Sequence, residues 1–241
     1  PNNPTGAIIP PALIARFADL CRARGLWLVL DETYRDFGPT TPIARRSAAG
    51  VARRDEAGRR ASGATAGPHA LFRRDDWRDV LVQLYSFSKA YCIPGHRLGA
   101  VVGGPALRGA LLKAVDNIQI CPPRPPQAAL AWGIPALGAW RRANARLIAR
   151  RLDTFAHAML RAPRWPIEVS GAYFAWLRVP DGGPASERVA QRLAREFGLV
   201  TLPGAFFGPG GDRHLRIAVA NVAEEALAEV PRRLAAFEEG R

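Results

Sequence analysis

The chain has 241 residues, 48 % apolar and 23 % charged, enough for a hydrophobic core in one large or two modest domains. These values exclude global disorder, a collagen-like repeat and a disulfide-stapled miniprotein. The net charge of +13 rests on 34 basic residues, of which only Lys89 and Lys113 are lysines. The arginines are spread along the chain, with one concentration at 45–60, and do not form an aromatic-interleaved patch. A general preference for arginine therefore accounts for the charge better than nucleic-acid binding does.

Pro10-Pro11 and ALIARFADLCRARG predict a helix, with proline in its first turn, Leu13, Phe17, Leu20 and Cys21 as its apolar positions, and Gly25 at its close. LWLVL at 26–30 predicts a buried strand ending in Asp31-Glu32. A helix, a buried strand and acids at its carboxyl end form the α/β pattern, in which ligands sit beyond the strand ends. Residues 39–69 lack periodicity and read as an exposed, mobile loop. Strands are expected at 80–88 and 98–102, and a helix at about 105–116. CPPRPP at 121–126 reads as a rigid, non-helical connector. The following helical composition is interrupted by Gly133 and Pro135, and a long helix spans about 139–161. Residues 167–179 alternate and carry aromatics, which predicts antiparallel strands. A helix at 185–197, strands at 199–202 and 214–220, and a helix at 223–238 complete the chain.

No apolar run approaches the length of a bilayer span, and no charged-then-apolar stretch of the secretory kind stands in the residues given. Three cysteines in a chain this long argue against a disulfide framework and for a reducing, cytoplasmic setting. The sequence opens at Pro1, inside a turn motif, and is expected to be the later part of a longer chain.

Four clusters carry candidate chemistry. Lys89 follows a strand in SFSKAYCIPGHRLG, with Ser86 before it and Arg97 after a Pro-Gly turn. An amine nucleophile beside a hydroxyl and a guanidinium fits an aldehyde-bearing phosphate ligand. A surface lysine beside a structural arginine fits the same residues. Asp31 and Tyr34 stand at a second strand end, where the carboxylate needs a cationic partner. PNNPTG at 1–6 is a rigid turn in which Asn3 can donate to a ligand oxygen or serve structure alone. Arg216 lies in an apolar strand, LRIAVAN, and needs either a substrate carboxylate or an internal acid. Glu32 reads as structural or solvent-facing, and Cys92 as packing. Trp132, Trp140, Trp165 and Trp176 read as core or interface residues. His69, His157 and His214 lack metal-ligand spacing, so no metal is expected. Tyr173 or Phe174 is a candidate pocket wall.

PNNPTG, LVLDETYRDF, YSFSKAYCIPGHRLGAVVG, GAYFAWL and LRIAVAN, in that order, resemble the fold-type I pyridoxal-phosphate enzymes of the class I/II aminotransferases. The resemblance implies an α/β fold: part of a three-layer sandwich with a mostly parallel sheet over 1–140, and a smaller α+β domain over 141–241. It implies pyridoxal 5'-phosphate as cofactor, held as a Schiff base by Lys89. Asp31 would pair with the ring nitrogen, Tyr34 and Asn3 with the ring hydroxyl oxygen, and Ser86 and Arg97 with the phosphate. Arg216 would take the substrate α-carboxylate. The implied partners are an amino acid, a 2-oxo acid and a second copy of the chain, with no nucleic acid and no membrane. The glycine-rich phosphate cradle and ring-stacking aromatic of that family lie before the asparagine turn and are absent from these 241 residues. A decarboxylase or carbon–sulfur lyase of the same fold is the alternative activity. The aminotransferase-like effector domain of a transcription regulator is the alternative role.

Overall fold

A computed structural model describes residues 1–38 and 68–240, so most of the expected loop at 39–69 lies outside the described residues. The chain forms two compact units. One contains Ile9–Asp36 and the described residues from Pro68 to Arg142; the other contains Pro1–Ile8, Phe37 and the chain from Ala143 onward.

The first unit is built on a three-stranded sheet, β1 (Leu28–Asp31), β2 (Leu81–Ser86) and β3 (Gly99–Val102), in that spatial order. β1 and β2 are parallel and β2 and β3 antiparallel, so this part of the sheet is mixed. α1 (Pro11–Ala23) precedes β1, and Gly25 ends it in a left-handed conformation with φ +63°. Its packed face differs from the one expected. Ile14, Ala18 and the partly buried Cys21 join the core with Leu71, Val80 and Leu81, while Leu13, Phe17 and Leu20 are exposed. Two apolar stripes share this helix, and the smaller side chains take the closer approach.

β1 is likewise only half covered: Leu28 and Leu30 pack inward while Val29 is 54 % exposed. A continuous apolar run is written for cover on both faces. On that face Val29, Leu84 and Val101 are exposed while Val82 is buried. One helical turn, α2 (Trp77–Val80), leads into β2, and α3 (Phe87–Ala90) leaves it. After β3 come α4 (Arg108–Ile118) and α5 (Arg124–Ala136).

The connector expected at 121–126 is half helical, with α5 beginning at Arg124. Only Cys121–Pro123 lie outside the helix, and Pro125 and Pro126 occupy its first turn, where the missing N–H groups have no intrahelical partner to lose. Nor do Gly133 and Pro135 break it, because Pro135 falls in the last turn and Leu137 N still donates to Gly133 O at 2.9 Å.

The second unit holds most of α6 (Gly138–Met159), then β4 (Ile167–Gly171), β5 (Phe174–Arg178), α7 (Ser186–Phe197), β6 (Leu202–Pro203), β7 (His214–Ala218), α8 (Glu224–Ala228) and α9 (Val230–Glu239). Its sheet has the order β4-β5-β7-β6, antiparallel throughout. The expected final helix is two, meeting at Glu229 just before Pro231.

One face of this sheet buries Ala175, Leu177, Leu215 and Ile217 against Leu152, Phe155, Leu193, Leu234 and Phe237. Each large side chain buried this way contributes on the order of 2 kcal/mol. Trp165 lies in that core and donates its indole N–H to Glu238 at 2.6 Å. Trp176 is buried too, whereas Trp132 and Trp140 are exposed.

The PNNPTG turn belongs to this second unit. Gly6 N donates to Asn2 O at 2.7 Å, and Asn2 N to Ala7 O at 2.8 Å. Gly6 (φ +77°) and Gly171 of β4 meet backbone to backbone: a Cβ on Gly171 would stand 2.1 Å from Gly6 O.

Candidate active site

In the first unit, parallel pairing aligns the carboxyl ends of β1 and β2. Asp31, the last residue of β1, stands opposite Leu84, and Ser86, the last of β2, lies two residues further on. Lys89 follows within the single turn of α3. Ser86 pairs with Gly99 across the antiparallel β2–β3 ladder, which brings Arg97, two residues before Gly99, to the same end of the sheet. Tyr34, buried, lies in the turn directly after β1. Strand order thus gathers Asp31, Tyr34, Ser86, Lys89 and Arg97 at one sheet end, where α/β folds carry their ligands.

The local geometry prepares several of these groups. Asp31 Oδ1 accepts from Thr33 N at 3.0 Å and from Thr33 Oγ1 at 2.7 Å. That bond pair fixes the carboxylate and leaves Oδ2 available to a cation. The side chain is exposed, not buried as its place at a strand end implied. Ser86 caps α3, its Oγ accepting from Ser88 N at 3.3 Å. Its own O–H remains to donate. Lys89 is half-buried. Arg97 is exposed and donates to Pro94 O at 2.8 Å, and its backbone is left-handed at φ +54°, ψ +44°. A non-glycine residue in that region carries strain of about 1–3 kcal/mol, a state that concentrates at functional positions. Cys92 is exposed, not packed, with its thiol 3.8 Å from Lys89 O.

Asp31 and Ser86 line a cavity of about 670 Å³ together with Arg108, Leu84 and Val101. Tyr34, Lys89 and Arg97 are not among its lining residues. As a donor set the five fit pyridoxal phosphate: a carboxylate for a protonated ring nitrogen, a phenol for a ring oxygen, a hydroxyl and a guanidinium for a phosphate, and an amine for an aldehyde. Lys113 lies on α4, exposed, with no such company.

Two polar clusters behind this end were not foreseen from sequence. Glu32 is buried and structural, not solvent-facing. Its Oε2 accepts from Arg35 at 2.8 Å and from Gln83, and its Oε1 lies 3.1 Å from His69 Nε2. His69 Nδ1 accepts from Leu71 N at 3.1 Å. His69, expected in an exposed loop, is therefore part of the core. In the second cluster Asp36 accepts from Tyr85 and from Arg141, each at 2.6 Å, and Arg141 lies over the Tyr91 ring. Burial, reinforced by the bond to Asp36, pushes the Tyr85 phenol well above its ordinary value, and burial raises Tyr91 as well.

The other two candidates meet in the second unit. Arg216 Nη1 donates to Asn3 Oδ1 at 2.6 Å. Its guanidinium lies 4.9 Å from the Phe174 ring centroid and 4.8 Å from that of Phe207. Asn3 accepts through oxygen, so its amide N–H groups are the ones left to donate. Phe174, a candidate wall from sequence, therefore flanks Arg216. Phe207 was missed: an aromatic in a glycine-rich loop carries no signal until the loop is folded.

An aspartate and a Ser-x-x-Lys turn thus follow the ends of two parallel strands, and an arginine lies against two rings and an asparagine turn. A family model for aminotransferase class I and II matches residues 1–234. The chain belongs to that family. Among curated relatives it is 26 % identical over 238 residues to the aromatic aminotransferase ISS1 of Arabidopsis thaliana, covering 97 % of this chain and 52 % of that protein. It is 29 % identical over 245 residues to the arginine–pyruvate transaminase AruH of Pseudomonas aeruginosa, covering 98 % and 53 %. A solved aminotransferase from Staphylococcus aureus superposes with a TM-score of 0.79 at 24 % identity, over 98 % of this chain and 56 % of that one. The chain thus spans about half the length of the curated relatives it matches. No helix among the described residues is long and apolar enough to cross a membrane.

Proposed function

We propose that the protein of which this chain forms part is a pyridoxal-phosphate-dependent aminotransferase acting between an amino acid and a 2-oxo acid. The observation that carries the proposal is the gathering of Asp31, Ser86 and Lys89 at aligned strand ends. When bound, the cofactor supplies an aldehyde that condenses with amines and a ring that withdraws electrons. Lys89 holds it and afterwards, once released, takes a proton from the substrate Cα. Asp31, fixed by Thr33, keeps the ring nitrogen protonated through Oδ2. Tyr34 and the amide N–H of Asn3 donate to the ring oxygen, and Ser86 and Arg97 bind the phosphate. Arg216 grips the substrate carboxylate, its planar group lying against the Phe174 and Phe207 rings. In this scheme residues 1–140 serve the cofactor and 141–241 the substrate, in a cytoplasmic homodimer.

The test is spectroscopic conversion of the cofactor to its aminated form by a panel of L-amino acids, using the whole protein. The aminotransferase proposal predicts that conversion, with release of the matching 2-oxo acid. Release of CO₂, ammonia or thiol without it points to the decarboxylase or lyase alternative and refutes the proposal.

A further inference from the structure

The non-core face of the second unit's sheet carries a connected row of rings. Trp176 of β5 stands opposite Arg216 of β7 in the strand register, and Arg178 stands opposite His214. His214 stacks on Trp176, with ring centroids 5.1 Å apart and planes 15° from parallel. Trp176 meets Phe207 edge to face at 6.2 Å. Phe207 in turn lies against the Arg216 guanidinium.

The far end of the row is tied down. His214 Nε2 lies 2.8 Å from Glu168 Oε2 on β4, and Glu168 also faces Arg178 at 3.7 Å. The loop that carries Phe207 rests on the same indole. A Cβ on Gly204 would stand 2.9 Å from Trp176 Cη2 and 2.4 Å from Gly211 O. These groups lie outside the hydrophobic cluster that Ala175, Leu177, Leu215 and Ile217 build on the opposite face of the sheet.

From this geometry we infer that Trp176 and His214 are positioning residues for substrate-carboxylate recognition. They hold Phe207, and through it the plane of the Arg216 guanidinium, at a fixed angle. Bidentate binding of a carboxylate requires that plane to be set before the ligand arrives. A guanidinium with one ring support removed swings about its stem and loses part of that geometry. The inference rests on the carboxylate role proposed for Arg216.

The test uses the whole, cofactor-loaded protein and two amine donors: the L-amino acid converted fastest by the unmodified protein, and the primary amine with hydrogen in place of its carboxylate. Trp176→Leu is expected to lower kcat/KM for the amino acid about tenfold, through KM, while leaving the amine unaffected. Trp176→Phe and His214→Tyr keep a stacked ring and are each expected to retain most of the unmodified protein's kcat/KM for the amino acid. Calorimetry with the matching deaminated acid and its uncharged amide is expected to show the same split without turnover. In an Arg216→Leu background, Trp176→Leu is expected to add no further selective loss. Equal losses on both donors, or full additivity with Arg216→Leu, overturns the inference. If Arg216→Leu alone affects both donors equally, the carboxylate role of Arg216 fails instead.

Discussion

Replacing Gly171 with alanine puts the link between the asparagine turn and the sheet under direct strain. The new methyl would stand 2.1 Å from Gly6 O and 3.1 Å from Gly6 C, both backbone atoms. An ordinary carbon–oxygen contact is about 3.5 Å, so more than 1 Å of backbone movement is needed. No rotamer change can supply it. Overpacking of this kind costs about 3 kcal/mol, at the upper end of the usual range. Gly182→Ala is the control in the same unit: its φ is +74° with nothing within 4 Å, so it carries only the left-handed backbone cost, about 1 kcal/mol.

The difference of about 2 kcal/mol corresponds to roughly 1 M in the urea midpoint, for a slope of about 2 kcal/mol per M. Urea denaturation followed by tryptophan fluorescence reads it directly, because Trp165 and Trp176 both lie in this unit. Displacing the turn also pulls Asn3 from Arg216, so a raised KM for amino acids is expected to accompany the loss of stability. Equal midpoints for the two variants would refute the packing argument.

Further outcomes are expected elsewhere. Arg97→Gly relieves the left-handed strain but frees the unfolded chain, so stability is expected to change by less than about 1 kcal/mol. Cofactor affinity, measured by titration, is expected to fall about 10- to 100-fold with the lost charge-assisted bonds; unchanged affinity removes Arg97 from the phosphate site. In the first unit, hydrogen bonding from Arg74, with charge from Arg74 and Arg22, holds the Asp76 carboxyl well below the ordinary value. Its contribution to stability is fully present above pH of about 4 and is lost as the pH falls below that, towards its depressed folded value. Asp76→Asn is therefore expected to flatten the acid limb of the stability curve while leaving its shape near neutrality unchanged. An acid limb identical to that of the unmodified protein contradicts this.

The elements that carry the site were legible because each had a strong local signal. LWLVL and VLVQLYSFS are short apolar runs; β1 ends in Asp31 as expected, whereas β2 stops at Ser86, two residues before the expected end, because Phe87 opens α3. What misled was degeneracy. α1 offers two apolar stripes, and only packing chooses Ile14 and Ala18 over Leu13 and Phe17. Pro125, Pro126 and Pro135 carry a helix-breaking signal, yet proline is harmless where a helix has no hydrogen bond to lose or is already ending.

Glu32 gave no sign of burial because its partners, Gln83 and His69, are 51 and 37 positions away in the sequence. Only the β1–β2 pairing brings Gln83 beside it. The aromatic row behind Arg216 was hidden for the same reason. His214 and Trp176 are ordinary residues until the β5–β7 register stacks them. Lys89 was the easiest to find, since one of only two lysines follows a strand end.

Cofactor attachment turns on that lysine. Borohydride reduction of the whole protein loaded with pyridoxal phosphate, followed by peptide mass mapping, locates the reduced lysine–cofactor bond. The bond is expected on the peptide containing Lys89, and is expected to vanish in Lys89→Ala. A label carried by Lys113, or one that survives Lys89→Ala, would contradict the central claim.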